Sequence, residues 1–143
     1  MELTTIQTDS SSKEGLAVET SVRDFQLTSD EPEEMGGENQ GPTPMELVLA
    51  GLGSCLGIMA KMSANKLQVN LEEVKVHVEG DFDRRAIGGK EDAKTGFQNI
   101  RATLDLRGNL SGTEKEKIIA KVEQACPVTD TLKSSTKLEI ERG

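Results

Sequence analysis

A chain of 143 residues with 34% apolar residues, no tryptophan or tyrosine and three phenylalanines can build one modest core but no aromatic ligand cage. Its net charge of −8 repels phosphate backbones, and Phe25, Phe82 and Phe97 are too few for base stacking, which excludes nucleic acid as a partner. The opening residues, Met1-Glu2-Leu3-Thr4-Thr5, lack the basic and apolar regions of a leader and point to the cytoplasm.

In chain order, residues 1–15 are polar, with a short edge strand expected at Glu2 to Ile6. Leu16 to Leu27 suits strands, and the break in alternation at Arg23-Asp24 predicts a hairpin or a bulge. Ser29 to Gly41 is acidic and rich in glycine, and reads as a loop. Thr43-Pro44-Met45-Glu46 is a helix start: Thr43 as N-cap, Pro44 at the first position, Glu46 completing a capping box. The helix should run to about Asn65 and is apolar nearly all round, which predicts full burial rather than a membrane span, since glycines, Glu46 and Lys61 interrupt it. Gly51, Gly53 and Gly57 each cost about 1 kcal/mol against alanine there, so another backbone must pass close by.

Val69 to Phe82 alternates Val74, Val76 and Val78 with Lys75, His77 and Glu79, and Ile100 to Arg107 alternates in the same way. The two should pair across a charged loop. Ser111-Gly112-Thr113-Glu114 opens a second capped helix that Pro127 ends, Val128 to Leu132 can add a short turn, and Lys137 to Glu141 reads as a final strand. The order is N-terminal antiparallel strands, a long buried helix, two strands, a helix and a C-terminal strand: an α+β fold in one domain, residues 1–143, with no repeat and no linker. A helix buried all round is hard to cover within so short a chain, which implies a homodimer whose second copy supplies the other wall.

Chemistry rests on the only two cysteines, Cys55 and Cys126. In a reducing compartment a static disulfide is uncommon, so such a pair invites a redox or nucleophile reading. Cys55 lies about three turns into the helix, beyond reach of its dipole, and a lowered pKa there would need a nearby cation. Cys126 precedes Pro127, which pushes it out of the α region and makes it a candidate N-cap for the short turn that follows. The plain alternative is that both are small core residues. Glu46 is a tempting base for Cys55, but nine residues of helix put the two on opposite faces, roughly 13 Å apart along the axis, and favour the capping role. His77 alternates with valines and should face solvent; with no second histidine at ligand spacing it makes no metal site. No glycine-rich phosphate loop is present, and nothing calls for a cofactor.

The stretch Gly41-Pro42-Thr43-Pro44-Met45-Glu46-Leu47-Val48-Leu49-Ala50-Gly51-Leu52-Gly53-Ser54-Cys55, together with Cys126-Pro127-Val128, resembles the OsmC/Ohr family. Asp30-Glu31-Pro32 and Gly36-Gly37 resemble its OsmC-like branch. The resemblance covers nearly the whole chain. It implies an intertwined homodimer with two buried central helices and active sites at the subunit interface. It also implies a thiol peroxidase acting on organic hydroperoxides: Cys55 as the peroxidatic thiolate, Cys126 resolving its sulfenic acid as a disulfide, and an external dithiol as reductant. The chain departs from the peroxidase pattern in two places. Met45 stands where those members carry a glutamate, with Glu46 one residue away. The Glu31 to Gln40 loop lacks the family's upstream arginine, for which Arg23 is the nearest candidate. The same scaffold without catalysis would be a ligand-binding or sensing protein, its apolar helix lining a site for a small lipophilic molecule.

Overall fold

Turn chemistry decides the first sheet. In a computed structural model describing residues 1–143, β1 (Asp9–Ser12), β2 (Val18–Val22) and β3 (Phe25–Ser29) form an antiparallel sheet in that order. Gly15, at φ +70, lets the chain reverse between β1 and β2, and the Lys13 amide donates to the Ala17 carbonyl at 2.8 Å. The first strand is therefore the polar Asp9–Ser12 and not Glu2 to Ile6, because a ladder partner, rather than apolar content, makes a strand. The break at Arg23-Asp24 is the β2–β3 turn, with Arg23 at φ +54.

Asp30 organises the loop that follows. It is 3% exposed, and the amides of Glu31, Glu38 and Gln40 donate to its carboxylate at 2.8, 3.2 and 3.1 Å. Burial opposes ionisation, but the three donors outweigh it and hold the carboxyl below its usual value near 3.8. A carboxyl depressed in the fold contributes stability that is whole above the unfolded pKa and is lost as pH falls through the folded one. The stability gap between wild type and Asp30→Asn should therefore be steady at neutral pH and shrink below the usual carboxylate value. Urea titrations at a series of pH values check this, and a gap that stays constant into strong acid counts against it.

The helix start forms as its residues dictate. The Glu46 amide donates to Thr43 Oγ1 at 3.2 Å and the Thr43 amide to Glu46 Oε2 at 2.9 Å. Thr43→Ala should cost about 1 kcal/mol of unfolding free energy in a denaturant titration. The helix, α1, runs Pro44–Leu67. Chain contacts divide into two compact units, residues 1–48 and 49–143.

In the second unit, β4 (Asn70–Phe82) and β5 (Phe97–Asn109) pair antiparallel along 13 residues each. Val74, Val76 and Val78 lie opposite Leu106, Leu104 and Ala102, so one face of the ribbon is apolar. At a register shift between Leu71 and Glu73, Lys61 Nζ donates to the Leu71 and Glu72 carbonyls at 2.9 and 3.1 Å, satisfying acceptors that the ladder leaves open. The outer face carries the charges: Arg101 pairs with Glu79 and Asp81, and His77 lies 3.7 Å from Glu79.

The core is two facing stripes. Leu52, Leu56, Ala60 and Ala64 recur every fourth residue on α1; Ile118 and Val122 do the same on α2 (Gly112–Ala125), and the next step of that series is Cys126. A side chain at Gly53 would just touch Val78 and one at Gly57 Val76, which is the close helix-to-sheet approach the glycines imply. α3 (Pro127–Lys133) follows directly.

Two expectations are corrected. α1 is buried on one side only: Ile58 is 58% and Met62 49% exposed, because a two-stranded ribbon and α2 cannot cover a whole helix. By length and composition α1 is also apolar enough to cross a membrane, but its buried side makes the contacts of a core helix. Lys137 to Glu141 forms no strand in the single chain; Leu138 and Ile140 are exposed, since alternation by itself supplies no edge to pair with.

Candidate functional site

Two helical series bring the cysteines together. Cys55 sits beside the α1 stripe, three residues after Leu52, and Cys126 ends the α2 stripe. Their sulfurs are 2.8 Å apart, near enough to share a proton, and both are free thiols. Cys126 is 2% exposed; Cys55 is half-buried.

Cys126 also occupies a junction. It closes α2, its own amide donating to the Val122 carbonyl at 3.0 Å, and it caps α3 in an extended conformation (φ −73, ψ 110), as Pro127 requires. The Thr129 amide donates to Cys126 Sγ at 3.4 Å.

The two thiols have different electrostatics. Burial pushes Cys55 up, and the adjoining Cys126 adds to the shift. Burial acts on Cys126 in the same sense, but the Cys55 thiol, Thr129 and the Val128 amide outweigh it and bring Cys126 down. The first negative charge of the pair therefore settles on Cys126. No arginine of the 49–143 unit bonds to either sulfur: Arg85 is held by Asp83 and Asp92, Arg101 by Glu79 and Asp81, Arg107 by Glu73 and Asp105.

Beside the thiols an open groove of about 760 Å³ is lined by Leu52, Leu56, Phe97, Ile119, Val122 and Thr129, among others. Its walls are mostly apolar, and Thr129 belongs both to the groove and to the thiol pair.

Of the four residues singled out from the sequence, Cys55 and Cys126 meet. Glu46 is engaged in the helix cap. Arg23 is exposed, its guanidinium 5.0 Å above the Phe25 ring. Thr129 and Val128 were not singled out from the sequence. Their signal was present, because a Cys-Pro N-cap aims its sulfur at the third amide of the helix it opens.

Fold and site together define an α+β protein with a buried, asymmetric dithiol. The chain belongs to the family of OsmC-like proteins, whose model matches residues 37–141. Solved structures agree on the fold. An OsmC-like protein from Mycoplasma pneumoniae is 21% identical at a TM-score of 0.78, with 91% of this chain and 88% of that one covered. An organic hydroperoxide resistance protein OsmC from Legionella pneumophila is 24% identical at 0.67, with 92% and 91% covered. An organic hydroperoxide resistance protein from Elizabethkingia anophelis, with thiocyanate bound, is 17% identical at 0.68, with 90% and 88% covered. No curated protein sequence matches the chain.

Proposed function

We propose that this protein is a cytoplasmic, homodimeric thiol peroxidase that reduces organic hydroperoxides through Cys55 and Cys126, with an external dithiol as reductant. The observation that carries the reading is the 2.8 Å separation of two free sulfurs beside an apolar groove. Passing the shared proton to Cys126 leaves the charge on Cys55, the more accessible sulfur. That thiolate attacks the distal peroxide oxygen, the O–O bond breaks, and the alcohol leaves with a proton. The Cys126 thiolate then attacks the sulfur of the Cys55 sulfenic acid, water leaves, and the disulfide forms. A cation favouring the Cys55 thiolate has to come from outside the 49–143 unit; Arg23 is the candidate in the sequence, and Glu46 anchors the helix that carries the nucleophile. The names of the two organic hydroperoxide resistance proteins support the substrate class. The exposed residues Gly51, Ile58 and Met62 on α1 give a second copy an apolar surface to cover.

Consumption of cumene hydroperoxide in the presence of dithiothreitol tests this. Cys55→Ser should fall to the protein-free background, and equal rates in variant and wild type would end the proposal. The groove supports a second reading, binding of a small lipophilic molecule without turnover. That reading predicts a co-purified ligand in native mass spectrometry together with an inert dithiol.

A further inference from the structure

The two sulfurs differ in access as well as in charge. Cys126 is 2% exposed, the last member of a stripe in which Ile118 is 0% and Val122 1% exposed. Cys55 is half-buried. Thiol–disulfide exchange is directional: the incoming sulfur attacks in line with the S–S bond, from behind the sulfur it joins. An attack on Cys126 would have to come through the packed stripe on α2, whereas an attack on Cys55 comes from its accessible side.

Building on the proposed disulfide cycle, we infer that the Cys55–Cys126 disulfide is opened at one end only: an external thiolate attacks Cys55 Sγ, and Cys126 leaves into the hydrogen bond of the Thr129 amide. The bond from the incoming sulfur to Cys55 forms, the S–S bond to Cys126 breaks, and Cys126 takes the electron pair as a thiolate. With a dithiol, the second thiolate attacks the sulfur of its own molecule in the mixed disulfide. The reductant closes to a cyclic disulfide, and Cys55 is released as a thiolate. Two electrons pass from the dithiol to the protein, and its two protons are returned to the cysteine pair and the solvent. The donor geometry acts in the same sense as access, since Thr129 donates to Cys126 at 3.4 Å and a stabilised thiolate is the faster leaving group. Cys126 is thus kept from ever carrying a mixed disulfide, and all exchange with other thiols passes through Cys55.

The full-length chain, oxidised with diamide so that no peroxide chemistry is involved, is mixed with N-acetylcysteine. The reaction is quenched with excess N-ethylmaleimide, and the protein is digested and read by mass spectrometry. The adduct should sit on the Cys55 peptide and the maleimide on the Cys126 peptide, exceeding the reverse pattern by about tenfold or more. The bias should vanish when the oxidised chain is first unfolded in urea. Equal or reversed labelling overturns the inference, as does a bias that survives urea or a failure of diamide to join the sulfurs. A wild type that shows the bias yet consumes no hydroperoxide sinks the peroxidase reading and leaves this one standing.

Discussion

Cys126→Ser is expected to cut sustained, dithiol-driven hydroperoxide turnover by about 10²-fold or more, because an intramolecular resolving step is replaced by attack from a dilute external thiol. The first turnover should survive. In the proposed cycle the oxygen atom goes to Cys55, which keeps its sulfur, its position on α1 and its place beside the groove. What is lost is the partner 2.8 Å away that traps the sulfenic acid. Cys55 should then gain a second oxygen under excess hydroperoxide, and intact-mass spectra of the variant should show the sulfinic form where wild type shows a disulfide. The substitution has a second effect of opposite sign. Cys126 adds to the upward shift of Cys55, so its removal lets Cys55 ionise more readily and should hasten single-turnover oxidation. Unchanged steady-state turnover with no overoxidation would exclude Cys126 as the resolving thiol.

Ile118→Ala should be the most destabilising single core change, at about 2–5 kcal/mol in urea or thermal unfolding. Ile118 has no exposed surface and lies two turns of α2 before Cys126, in the stripe that packs on Leu52, Leu56, Ala60 and Ala64. Its truncation leaves a void among small neighbours on α1, which have no long side chain with which to refill it. The same stripe sets where α2 ends, so the damage should also reach the thiols: the diamide-driven disulfide should form more slowly than in wild type under conditions where both are folded. Ile118→Val, at about 0.5–1.5 kcal/mol, keeps the branched contact and should restore most of the rate. A stability loss in Ile118→Ala below 1 kcal/mol would mean that the stripe does not hold α2 as described.

Local chemistry made much of this molecule legible in advance. Both capping boxes form on their residues, Thr43 with Glu46 and Ser111 with Glu114. The alternations in β4 and β5 face as written, and Pro127 makes Cys126 an N-cap. Each of these signals lies within a few residues of its effect. The errors share a cause as well. The strands expected at Glu2 to Ile6 and at Lys137 to Glu141, and the all-round burial of α1, depend on what another part of the protein or another copy presents, and periodicity does not encode it. The candidate site divides along the same line.

The sequence alone determined that there are two cysteines, one within a glycine-rich helix and one before a proline, and that the chain resembles OsmC/Ohr proteins. Only the tertiary structure decided that the two thiols face each other, that Cys126 is the deeper and the better stabilised, and that an apolar groove runs beside them. The reason is distance along the chain. Cys55 and Cys126 are 71 residues apart, so their contact is fixed by the packing of α1 against α2 and not by any local rule.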